Sequence, residues 1–417
     1  MRISFWKKKR ALPDAEDKGI VEKRASVLAS RAESAIAATE KVESQHRVDT
    51  SQVRQTIQRP PEYSKPIAWP WSIHALILEH PDTLPKPGVR PSTAPSLSPF
   101  PRYGHCISPT TTSEGDLILF GGWVNGSSSN DVYTISIRDG TTRSIETTGD
   151  IPSPRVGHAC VLIGNMLYVW GGDTRAGDDT GLDNSLYRLD LVERNWLRVS
   201  IPHLPPGRYG HAMCAVGDTI YIFGGQVDGT FLNDLRTVDL SFTELPLRSP
   251  EGPQPAARTN HIFIPHEDDI YLFGGTDGEY MFNDIWSFNV KSQQWSELPA
   301  IGHIPAPREG HSAALIDGVI YIFGGRGVDG RCLGDIAAFR VAYKRWYTFR
   351  NMGPGPSARS GHAMAAVNNT AFVLGGLSDD VDARQPPSVV HVLETGNLKY
   401  PPIPITGHAD SGIGHQK

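Results

Sequence analysis

Residues 207–225 read Gly-Arg-Tyr-Gly-His-Ala-Met-Cys-Ala-Val-Gly-Asp-Thr-Ile-Tyr-Ile-Phe-Gly-Gly. Arg208 and His211 head an apolar run that turns at Gly217 and stops at Gly224-Gly225. The same arrangement occurs six times in the 417 residues. The arginines are Arg102, Arg155, Arg208, Arg258, Arg308 and Arg359. The histidines are His105, His158, His211, His261, His311 and His362, spaced 53, 53, 50, 50 and 51 apart. The glycine pairs are Gly121-Gly122, Gly171-Gly172, Gly224-Gly225, Gly274-Gly275, Gly324-Gly325 and Gly375-Gly376. A unit of this size built from short strands cannot bury both of its faces. It must stack on neighbours, and radial stacking gives a propeller. The expected fold is therefore all-β, a six-bladed propeller over residues 66–403.

A period near fifty residues is that of kelch repeats. Blade B shows the pattern: first strand His158–Ile163, then Met166–Trp170, Leu186–Leu191 and Trp196–Val199. Asn165, Gly217, Asp317-Gly318 and Asn368-Asn369 mark tight turns between first and second strands, where short polar residues tolerate positive φ. Trp196, Trp295 and Trp346 hold the fourth-strand position of blades B, D and E, with Leu245 in blade C and Thr142 in blade A. Tyr133, Tyr187 and Trp286 hold an aromatic third-strand position that Arg236 and Ala337 fill elsewhere. The last blade shows a third strand, Val389–Leu393, but no fourth. Trp71–Leu78, ahead of the first repeat, has fourth-strand character and is expected to close the ring. Closure removes two unpaired edges.

Residues 1–65 differ in composition, with fourteen Lys/Arg against nine Asp/Glu, leaving 26 against 36 beyond them. An acidic body does not match a nucleic-acid binder, whose footprint is basic. Val21, Ala25, Leu28, Ala32, Ala35, Thr39 and Val42 keep heptad spacing with mostly small residues. Residues 19–45 are thus expected to be partly helical, with at most weak self-association. A disordered tail is expected over 404–417. Met1–Arg10 is basic but lacks the apolar stretch of a signal peptide, and Ala68–Leu78 is too short to span a bilayer. Cys106, Cys160, Cys214 and Cys332 form no C-x-x-C pair and read as small buried hydrophobes, as in a reducing compartment.

The paired glycines read as structural; a phosphate-binding loop would need a Lys-Ser/Thr and a following helix. One histidine per blade reads as a buried imidazole bonded to backbone, fixing one strand against the next, and not as a metal site. The arginines either pair within a blade or between blades, or some of them line the entrance of the central channel, where an acidic ligand would meet them. The segments after each Gly-Gly vary and are expected on one face: 123–129, 173–183, 226–231, 276–282, 326–331 and 377–387. Candidate partner-binding anchors there are Trp123, Arg175, Phe231, Tyr280, Arg326 and Arg331. The alternative for Phe231 and Phe282 is inward packing beneath their own loops. No G-x-S-x-G, H-E-x-x-H or kinase signature is present, and no carboxylate pair stands out. No catalytic residue, cofactor or metal is expected.

Over residues 69–400 the chain resembles the fungal kelch-repeat cell-end markers, the tip-elongation and cell-polarity proteins. The resemblance rests on Pro99-Phe-Pro-Arg-Tyr-Gly-His105, Pro154-Arg-Val-Gly-His-Ala159, Phe223-Gly-Gly-Gln-Val-Asp-Gly229, Pro307-Arg-Glu-Gly-His311 and Gly324-Gly-Arg-Gly-Val-Asp-Gly330. It implies a protein-binding scaffold in the cytoplasm, at the cell cortex or growing tip. Such proteins continue into long C-terminal coiled coils, whereas this sequence ends at Lys417, fifteen residues past Pro402. The fold is also similar to the galactose-oxidase superfamily, whose copper enzymes need a Tyr–Cys cross-link that repeat-register cysteines do not suggest. A ubiquitin-ligase substrate receptor would need a BTB or F-box domain, and residues 1–65 show neither.

Overall fold

The computed structural model describes residues 69–86, 94–175, 182–199, 201, 205–242, 252–350, 352–380 and 388–400. The heptad-spaced segment 19–45, Leu245 and the tail 404–417 lie outside them. The chain forms a six-bladed β-propeller, its strands running outward from a central axis in the order of the repeats. Blade D shows the unit: Ile262–His266, Asp269–Phe273, Ile285–Asn289 and Gln294–Glu297, each antiparallel to the next. Burial runs almost unbroken along Asp269–Phe273 and Ile285–Asn289, because both faces of a blade meet a neighbour.

The hydrophobic core is divided between the blades rather than held within them. Each of six buried clusters draws side chains from two adjacent blades. The rule is clearest at the aromatic residue ending the second strand. Phe120 packs on Trp196 of the following blade with ring centroids 5.1 Å apart, Phe223 on Trp295 at 5.1 Å, and Phe273 on Trp346 at 4.8 Å. A fourth-strand Trp is thus the outer half of an inter-blade pair. Blade A carries Thr142 in that register, and the preceding second strand ends in Leu374 instead of Phe.

The ring is joined by chain from both ends of the repeat region. Trp71–Ala75 pairs antiparallel with Val389–Glu394, and Trp71 meets Phe323 of blade E edge-on at 5.5 Å. The segment expected as one strand, 71–78, is divided. Ile77–Leu78 leaves blade F and pairs in parallel with Thr141–Ile145 of blade A. The reason is the pivot at Leu76, whose side chain is buried between blades F and A and whose N–H donates to Ser388. The same device recurs where Thr148–Gly149 and Ile301–Gly302 cover the outer strands of blades B and E. Each short parallel strand caps an edge that would otherwise offer unpaired amides.

Candidate functional site

The Arg-x-x-His motif lies at the axis. The residue before each histidine takes part in one closed circuit of backbone hydrogen bonds. Gly104 N–H donates to Gly361, Gly361 to Gly310, Gly310 to Asn260, Asn260 to Gly210, Gly210 to Gly157 and Gly157 to Gly104. Bond lengths run from 2.7 to 2.9 Å. A second circuit lies beside it. The second glycine of each pair donates to the next blade's arginine carbonyl, ending with Gly376 to Arg102 at 2.7 Å. The glycines are required here by space as well as conformation. A Cβ on Gly375 would stand 2.6 Å from His105 Cε1, and one on Gly376 2.7 Å from His362 Cβ, both at positive φ.

The histidines wedge neighbouring blades. His158 stands edge-on to Phe120 at 5.2 Å and His211 to Trp170 at 4.8 Å, with equivalent contacts to Phe223, Phe273 and Phe323 in the later blades. The expected bond to backbone forms with ordinary geometry for His158, whose Nε2 lies 3.1 Å from the Phe120 carbonyl. The other five imidazoles make no hydrogen bond of that quality. Corresponding carbonyls only oppose weakly the effect of burial at His211, His261, His311 and His362. Desolvation, then the adjacent arginine, pushes His105, His211 and His362 down to about 3 and the others well below the usual imidazole value. These are neutral wedges, held chiefly by packing.

The arginines settle on pairing within the blade. Arg102, Arg155, Arg208, Arg258 and Arg308 are buried and do not line the channel entrance, which removes the acidic-ligand alternative for them. Each donates to its own blade's first glycine carbonyl and to a carboxylate: Asp131, Asp183, Asp234, Asp284 or Asp335. Arg258 also stacks 4.1 Å from the Phe282 ring, which places Phe282 inside blade D. Burial would raise the Asp284 carboxyl, but Arg258 and the Trp286 indole N–H hold it below its normal range. Such a pair fixes geometry more than it adds stability, because removing one partner strands a buried charge at a cost of about 3–5 kcal/mol. Arg359 donates to Gly375 and to Ser357.

Beside the inner circuit, the residue following each glycine pair bridges back to the residue preceding Gly-His. The six bridges are Tyr103 with Trp123, Val156 with Asp173, Tyr209 with Gln226, Thr259 with Thr276, Glu309 with Arg326, and Ser360 with Leu377. Six varied side chains thereby occupy one register around one end of the axis. This mouth is the candidate site, and the anchors expected from sequence fall around it unequally. Trp123 is 37% exposed and lies 6.5 Å from the Tyr103 ring. It stands on a strand, not a loop. Asp116–Val124 and Ser127–Ser136 run on past the glycines as a hairpin, because Asn125-Gly126, at φ 50° and 83°, supplies a two-residue turn. Tyr280 is 62% exposed, and Arg331 is exposed at the tip of the blade E loop.

Two expected anchors are occupied. Arg175 bonds Asp173 and, across to blade C, Asp228, and lies over the Tyr209 ring. Phe231 is half-buried and fills the space above Gly278 of blade D, where a Cβ would meet its ring at 2.8 Å. It packs under the neighbouring blade's loop rather than its own. The rest of loops 173–183 and 377–387 lies partly outside the described residues. Cys106, Cys160 and Cys214 are buried free thiols on first strands of successive blades, and Cys332 is half-exposed with its Sγ 3.6 Å from Ser360 Oγ. Among the described residues no group of three His, Cys, Asp or Glu side chains converges as a metal site. No helix among them is long and apolar enough to cross a membrane.

A separate cleft of about 620 Å³ opens between blades A and B, away from the mouth. Half of its charged side chains are paired: Arg194 holds Asp82 through two bonds of 2.9 and 2.6 Å, and Arg143 lies 3.2 Å from Glu79. The sequence reading missed the five aspartates that receive the arginines. Their signal was available in the repeat register, since Asp131, Asp234, Asp284 and Asp335 each precede the third-strand aromatic position by two.

Residues 157–376, just over half of the chain, match a family model described as the KLHDC2/KLHL20/DRC7 Kelch-repeats domain. Among curated relatives, Tip elongation aberrant protein 1 of Schizosaccharomyces pombe is 36% identical over 318 residues, covering 75% of this chain and 28% of that protein. Kelch repeat-containing protein 2 of Saccharomyces cerevisiae is 39% identical over 155 residues, 34% of this chain and 18% of that one. Rab9 effector protein with kelch motifs of Mus musculus is 34% identical over 138 residues, 33% of this chain and 36% of that one. The chain therefore spans about a third or less of the length of these relatives. With its repeats, its closed circuits and this match, the chain belongs to the kelch-repeat β-propeller family.

Proposed function

We propose that the propeller is a non-enzymatic scaffold that holds a segment of another protein across the mouth ringed by Trp123, Asp173, Gln226, Thr276, Arg326 and Leu377. The observation that carries this reading is the mouth itself: chemically varied side chains at one register, each bridged to a rigid inner circuit. Recognition residues held on such a scaffold lose little entropy on binding. The histidines, the best candidates for proton transfer by residue type, are sealed between blades and neutral. The buried cysteines sit on separate blades, an arrangement unlike the single Tyr–Cys site of a copper-radical oxidase. The names of two relatives, tip elongation and Rab9 effector, agree with a scaffold role. For this chain they support placement in the cytoplasm near the cell cortex or tip and a part in polarised growth.

Pull-down or proximity labelling with wild type and a Trp123→Ala/Tyr280→Ala/Arg326→Ala variant tests the reading. These side chains are exposed or half-exposed, so thermal stability should change little, while most partners should be lost. A folded triple variant that retains every partner contradicts the assignment of this face.

A further inference from the structure

Three adjacent mouth positions are exposed or half-exposed, whereas Gln226 and Thr276 in the same register are buried. Going round the ring through the closing seam, blades E, F and A present Arg326, Leu377 and Trp123 in one register. Arg326 is half-buried, yet among the described residues its guanidinium makes no hydrogen bond or ion pair. Glu309, which faces it in the strand pairing, gives its carboxylate to Asn260 Nδ2 of blade D at 3.1 Å instead. A guanidinium carries five donors in a planar fork that matches a carboxylate. Leu377 is 47% exposed, and Trp123 keeps one side open while Tyr103 steadies it. Arg331 adds a second cation from the same blade E loop.

The opposite sector is closed. Arg175 is saturated by Asp173 and Asp228, leaving one cation against two carboxylates there. We infer that the mouth selects an extended segment of a partner protein in which an Asp or Glu carboxylate, received by Arg326, is neighboured by apolar side chains lying on Leu377 and Trp123. The inference rests on the scaffold reading above and specifies its ligand.

Panning a phage-displayed library of random linear peptides on the full chain tests it. Selected peptides should be enriched in Asp or Glu adjacent to Leu, Ile, Phe or Trp. For a synthetic selected peptide, changing the acid to its amide should weaken binding by at least about tenfold. The Arg326→Gln protein, checked for an unchanged unfolding midpoint, should bind acid and amide forms alike. Leu377→Ser should weaken both forms together. An absence of acidic enrichment, or an acid preference that survives in Arg326→Gln, overturns the inference. Either result leaves the scaffold reading standing if the triple variant still loses its cellular partners. If that variant keeps them, the face itself is wrong.

Discussion

Truncating Trp71 to alanine is expected to destabilise the whole propeller by about 3–5 kcal/mol, although the residue lies outside every repeat. Trp71 is 6% exposed, pairs with Leu393 and packs on Phe323, so its loss opens a cavity between blades E and F. For a body of this size the unfolding midpoint should drop by about 4–7 °C. Deleting residues 66–80 should cost more, because it also strips the partner from Val389–Glu394 and leaves that edge free to aggregate. Calorimetry of the variant beside an exposed-site control such as Ile73→Ala checks this. A midpoint within a degree or two of wild type would mean that the pairing contributes little to holding the ring.

Acid should unfold this protein early and steeply. All six repeat histidines are buried and have imidazole values depressed to about 3 or well below normal. A depressed folded value means that the unfolded chain takes up protons first as pH falls below about 6.5, while the folded chain takes up none. Stability is therefore complete above that pH and is lost progressively below it. Each fully buried imidazole contributes a slope of about 1.4 kcal/mol per pH unit, and six together exceed an ordinary domain's stability within two units. The propeller should be folded near pH 7 and unfolded by about pH 4.5. Asp234 and Asp284, held low chiefly by their arginines, and Asp183, held low by the Ser185 N–H, Tyr187 and Arg155, act in the same direction at still lower pH. Urea unfolding at a series of pH values checks this: uptake approaching six protons below pH 5.5 is expected, and uptake of one or none contradicts neutral wedges.

The architecture was legible because repetition makes a local pattern global. One Arg-x-x-His and one Gly-Gly are weak signals, but six in register leave little freedom for the fold. The conformational role of Gly376 could be read from its place in the pattern, and its close approach to His362 is the physical reason. What escaped were pairings that join distant positions. Asp284 looked like any surface acid until folding set it beside Arg258, 26 residues away. The Trp residues of fourth strands were visible, but not that each meets the preceding blade's Phe. At the mouth, composition alone could not separate Arg175, saturated by two aspartates, from Arg326, which bonds none among the described residues. The division of 71–78 at Leu76 was likewise hidden, since no Gly, Pro or Asn in Trp71–Leu78 marks a break.

Amide hydrogen exchange at the two circuits reports ring closure most directly. Gly104 N–H and Gly376 N–H cross from the last repeat to the first, bonding Gly361 and Arg102. If the six blades form one closed body, these amides should exchange as slowly as Gly157, Gly210 and Gly225 N–H, in a single cooperative opening. Exchange at Gly104 and Gly376 that is faster by orders of magnitude than at the other blades would show an array open at the seam.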